Sequence, residues 1–169
     1  MLSEHGSFIT YLNQYRAENG VQPVDFNPHL TVSCFWHAFD CANNDHIQHQ
    51  SAWPERYGLN PEDRARTAGW AAVDYTTEGG SAGYTENILW HSNNYSAEEA
   101  IDAWKTSSGH NENMLRPEMM TCGFAKFGLY WVMQLDSVPA DTESYILHPP
   151  ATIWEFIDFG QFEQVSNLE

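Results

Sequence analysis

Positive charge is what this chain has least of: 7 Lys and Arg stand against 23 Asp and Glu, a formal net charge of -16 at pH 7. A surface so negative repels phosphate backbones and anionic lipid heads, which argues against nucleic-acid binding and electrostatic membrane docking. It suits divalent cations, cationic partners or a salty medium; the plainer reading is an acidic surface that resists association. Long apolar runs are missing too, and none approaches the roughly 18 residues that signal a spanning helix. The start, Met1-Leu-Ser-Glu-His-Gly, lacks the basic and apolar regions of a secretion signal. The expectation is a chain that is cytosolic, exported by another route, already trimmed, or part of a larger assembly.

Cysteine is scarce, and three residues do not make a disulfide framework. Cys34 and Cys41 fall on an expected helix, separated by roughly 10 Å along its axis. Bridged cysteines need Cα atoms within about 7 Å, so these two do not pair with each other. Cys122 could join one of them; three buried thiols is the preferred reading, with their redox state left open.

What is present is enough for one domain with a full core. Ser3 reads as the cap of a first helix, with Phe8, Ile9, Leu12 and Tyr15 as its apolar stripe and Gly20 as its end. Asn27-Pro28 opens a second helix with Leu30, Cys34, Ala38 and Cys41 on one face, running out at Asn43-Asn44-Asp45. Asn60-Pro61 starts a short polar helix ending near Gly69, and a Gly/Ser/Thr-rich loop is expected over 76–83. Glu86 to Trp90 reads as a strand. Ser96 and Glu99 form a capping box ahead of Ala100, Ile101 and Trp104. Two apolar runs around Gly128 read as a hairpin.

The pattern predicts an α+β fold: a three-layer α-β-α sandwich with a small antiparallel sheet flanked by helices. Residues 1–136 form the domain, and 137–169 an extension that begins linker-like and becomes dense in aromatics after Pro150. Aromatics so dense are rarely left in water, so residues 151–169 are expected to pack on the domain, or alternatively on a neighbouring subunit or partner.

Three segments carry the chemistry. Trp104-Lys-Thr-Ser-Ser-Gly-His-Asn-Glu-Asn-Met-Leu-Arg-Pro117 places His110 after Gly109, where one helix is expected to end and a short one to begin. Gly83-Tyr-Thr-Glu-Asn-Ile-Leu-Trp90 supplies a carboxylate, and the run from His37 to His49 supplies further imidazoles. Together with Leu12 to Gly20 and Tyr130-Trp-Val-Met-Gln134, these resemble the CAP superfamily of cysteine-rich secretory, antigen 5 and pathogenesis-related proteins, and its small bacterial SCP-like branch in particular. The likeness runs from Phe8 to Leu135, with Thr85 where glycine is usual.

That resemblance implies a cleft lined by two histidines and two glutamates. Motif to motif, these fall on His49, Glu86 and His110, with Ser107 where the second glutamate would stand. Asn87 and Asn113 are expected to brace the corner, and Ser108 to line the cleft. By that resemblance His49, His110 and Glu86 are expected to be able to ligate zinc or another divalent cation, leaving one position open. The bland alternative is that His110 and Glu86 simply hydrogen-bond. His46 would join if its segment were helical; Ser107 as a nucleophile lacks an evident oriented base and oxyanion hole. His29, His37, His91 and His148 read as structural or exposed.

Three functions are expected, two from the resemblance and the third from the missing secretion signal and the aromatic tail. The preferred one is a module binding a small hydrophobic ligand or a protein partner, with a cation-capable cleft. The second is a zinc-dependent, peptidase-like hydrolase with Glu86 as base. The third is an assembly component of a virion or surface filament, attached through residues 151–169. The family implies an extracellular or surface location.

Overall fold

The computed structural model describes residues 2–72 and 83–148, with side chains from residue 7 onward. Helix α1 (Leu2–Glu18) begins ahead of Ser3, which therefore lies inside the helix rather than capping it. It closes at Gly20, where the Val21 amide donates to the Arg16 carbonyl. Strand β1 (Asp25–Phe26) leads into α2 (Pro28–Asn44), whose first amides, of His29 and Leu30, donate to the Asn27 side chain. Leu30, Cys34, Ala38 and Cys41 are all fully buried on one face. A short α3 (Pro54–Tyr57), not expected from the sequence, precedes α4 (Pro61–Thr67).

Strand β2 (Tyr84–Trp90) is followed by α5 (Ala97–Lys105), started by the reciprocal Ser96–Glu99 box. Helix α6 (Ser108–Leu115), β3 (Thr121–Phe127) and β4 (Tyr130–Asp136) complete the frame. The corner before His110 falls at Thr106 and Ser107, which end α5 and cap α6, so Gly109 lies within α6. A Cβ added there meets open space, so no close contact requires glycine.

The strands order as β1-β3-β4-β2. The β2–β4 and β3–β4 pairs are antiparallel, but β1 runs parallel to β3, so the sheet is mixed and not wholly antiparallel. The β1 ladder is too short for the apolar alternation that would have revealed it. Side chains alternate across the sheet and divide the core in two. Phe124, Trp131, Met133 and Leu135 face α1 and α5, where Phe8 stacks 4.0 Å from the Phe124 ring. Ile88, Ala125, Tyr130 and Val132 face α2. That helix lies directly on β3: a Cβ at Gly123 would sit 2.3 Å from Leu30, so glycine is needed there.

All three thiols, Cys34, Cys41 and Cys122, are free and buried. Past Asp136 the chain returns to the domain, with Tyr145 against the Trp70 ring and Ile146 bridged to Trp70. Of the loop expected over 76–83, residues 76–82 lie outside the described residues, as does the aromatic segment 151–169. Among the described residues no helix is long and apolar enough to cross a membrane.

Candidate functional site

Strand β2 is an edge of the sheet, so its adjacent residues Glu86 and Asn87 serve opposite faces. Glu86 points toward α2, in register with Gln134 of β4. Its carboxylate is buried and fully engaged. Oε1 accepts from His49 Nδ1 at 2.9 Å; Oε2 accepts from Arg64 Nη2 at 2.6 Å and from Gln134 Nε2 at 2.8 Å. Burial by itself would raise this acid, but the Arg64 guanidinium and the other donors outweigh it and hold Glu86 down to about 2.

His49 follows α2 at a bend in the chain, its side chain just over half exposed. Because Nδ1–H donates to a carboxylate, Nε2 is left as the free ring nitrogen of the neutral tautomer. That hydrogen bond raises the His49 pKa, against the effect of burial. Behind it His37 of α2 is wholly buried, donating from Nε2 to the Gln48 carbonyl at 2.7 Å, with Glu86 Oε1 3.9 Å away. Burial lowers the His37 pKa to about 4, so this imidazole is neutral at pH 7. His46, which is not helical, turns to Asp40 at 3.7 Å and not toward Glu86.

On the other face, Asn87 donates from Nδ2 to the His110 carbonyl at 3.0 Å and accepts from Asn113 Nδ2 at 2.9 Å. These amides fix the first turn of α6 against β2. The His110 ring lies 6.5 Å from that of Trp104. Burial, and then the charge on His49, lowers its pKa. Ser107 caps α6 without a side-chain capping bond, and Ser108 is exposed. His29 is a buried structural residue bonded to the Ala68 carbonyl, and His91 stacks on Tyr95.

A family model, the cysteine-rich secretory protein family (CAP), matches residues 9–128. The chain belongs to the CAP family. A CAP relative, YkwD of Bacillus subtilis, is 28% identical over 128 residues, covering 75% of this chain and 44% of its own length. The chain thus spans less than half of that relative. Among solved structures, an extracellular protein with an SCP domain from Bacillus anthracis superposes with a TM-score of 0.62 at 17% identity, covering 78% of this chain and 39% of the other. An outer surface protein of Borrelia burgdorferi gives 0.63 at 12% identity, covering 79% and 92%. At these identities the likeness is one of fold.

The zinc shell implied by the CAP resemblance does not fit the side chains of this chain. Both Glu86 oxygens are taken, one of them by a permanent cation. Among the described residues no group of three or more His, Cys, Asp or Glu is placed to hold a metal ion. Sequence reasoning missed Arg64, hidden in a helix that reads as polar, and His37. Gln134 had a legible signal: a lone amide inside the apolar run Tyr130–Leu135 has to meet a buried partner.

Proposed function

We propose that this CAP domain is a recognition module, binding a ligand or protein partner at its cleft without catalytic turnover. The observation that supports this is the commitment of Glu86 to His49, Arg64 and Gln134. A carboxylate held near 2 is a poor proton acceptor at neutral pH, which disfavours the hydrolase with Glu86 as base. The site offers instead an oriented, half-exposed imidazole, His49. The apolar side chains of Ile47 and Leu59, 55% and 43% exposed, lie on the segments next to His49. A small ligand with an apolar body and a polar end matches that mixture. A surface or extracellular setting is proposed from the relatives described in those terms.

The test has two arms. Chromogenic esters and peptide substrates, with and without added zinc, should give no turnover above buffer. Titration with decanoate, followed by NMR, should shift the resonances of Ile47, His49 and Leu59 first. Hydrolysis that His49→Ala abolishes would contradict the reading.

A further inference from the structure

Only 7 of the 169 residues are Lys or Arg, yet Arg64 is completely buried. Burying a guanidinium is costly unless its donors and its charge are both matched. Here the site matches the charge and both terminal nitrogens, while Nε is buried without a hydrogen-bond partner among the described residues. Nη2 donates to Glu86, while Nη1 donates to the His49 carbonyl at 2.9 Å, Ser51 Oγ at 3.1 Å and the Leu59 carbonyl at 3.2 Å. Two of these four acceptors, His49 and Ser51, belong to the segment that carries His49, a third is Leu59 just beyond α3, and the fourth is the carboxylate His49 leans on. One side chain therefore neutralises Glu86 and fastens the His49 loop to β2.

The backbone is built to hold that group in place. Gly58, at φ +100°, lets the chain pass tightly against α4; a Cβ there would lie 2.6 Å from Asp63 Cβ and 3.0 Å from the Arg64 nitrogen. Two residues later Asn60 caps the start of α4, its backbone amide donating to the Asp63 carboxylate. A divalent ion beside Glu86 would need the oxygen Arg64 occupies, and would stand next to a fixed positive charge in a poorly screened interior.

We infer that Arg64 is the built-in cation of this cleft: it does for Glu86 what a divalent ion would do, and it is the residue that keeps such an ion out. The consequence is a gain of function on its removal. Without the guanidinium, Glu86 Oε2 is released beside the His49 imidazole, which leaves one oxygen and one nitrogen donor together for an incoming ion.

Cobalt(II) is the probe, because its visible absorption reports nitrogen and oxygen ligation directly. The full chain, stripped of metal, is compared with Arg64→Gln, Arg64→Met and the charge-retaining Arg64→Lys. Wild type and Arg64→Lys should show no His49-dependent cobalt band, and zinc should leave their Tm unchanged. Arg64→Gln and Arg64→Met should bind cobalt tighter than wild type by about an order of magnitude or more. Zinc should raise the Tm of both, as a ligand of the folded state does, and adding His49→Ala should abolish both effects. Arg64→Gln keeps a hydrogen-bond donor for Glu86 and serves if Arg64→Met fails to fold. A His49-dependent cobalt band in wild type, or folded variants that bind none, overturns the inference. The second outcome leaves the recognition function untouched, since that reading rests on the wild-type cleft.

Discussion

Glu86 and Arg64 form a buried pair, and breaking one side of such a pair is far more damaging than its net contribution implies. Glu86→Ala strands a guanidinium in the interior and should lower stability at pH 7 by about 3–5 kcal/mol in urea melts. A loss below about 1 kcal/mol would mean that water reaches and satisfies Arg64 without the carboxylate. His49 behaves oppositely, because just over half of its side chain is exposed. His49→Ala leaves Glu86 with Arg64 and Gln134, so its stability should stay close to wild type while the cleft loses its free ring nitrogen. The site is thus divided between residues that hold it and one that faces solvent.

At the scale of elements, the contact between α2 and the sheet is the tightest constraint. Gly123→Ala forces a methyl to within 2.3 Å of Leu30 and should destabilise by about 1–3 kcal/mol or more, measured by thermal or urea unfolding. Strand β4 ends in Asp136, whose acid is raised to about 6 by burial, although Trp70 Nε1 and the Val138 amide donate to it. The sign follows from the direction: the folded state prefers the protonated acid. Stability from this group is therefore full below the ordinary value of 3.8 and is lost as pH rises through 6. Asp136→Asn should remove that decline, so its Tm advantage over wild type grows between pH 4 and pH 7. A constant difference across that range would show that Asp136 titrates normally.

Much of this layer was readable in advance. The caps at Asn27 and Ser96, the apolar face of α2 and the hairpin at Gly128 follow from local chemistry, and local chemistry is what a sequence displays. The parallel β1–β3 pair was not, because two residues carry no periodicity. The convergence of His49 with Glu86 came only from family likeness: thirty-seven positions of chain separate them, and no spacing rule joins them. Arg64 was invisible for another reason. A polar helix normally turns its cations to water, and nothing in Pro61–Thr67 marks the one that turns inward.

Across the whole molecule the dominant fact is the charge of -16. Self-repulsion among the carboxylates opposes compaction, and salt screens it, the Debye length falling from about 30 Å at 0.01 M to about 8 Å at 0.15 M. Raising the salt over that range should lift the Tm by about 2–4 °C, seen by calorimetry. An unchanged Tm would mean that the surface carboxylates are too dispersed to repel one another. The buried ion pair is shielded from that screening, so the cleft keeps its arrangement when the surface does not. The most direct measurement is an NMR titration of the Glu86 side-chain carboxyl in the wild-type chain. If Arg64, His49 and Gln134 hold it as described, its midpoint lies near 2 and it stays ionised from pH 4 to pH 7. A midpoint inside that range would mean the carboxylate is free to take up a proton or a metal, and the cleft would have to be understood as a catalytic or metal-binding centre after all.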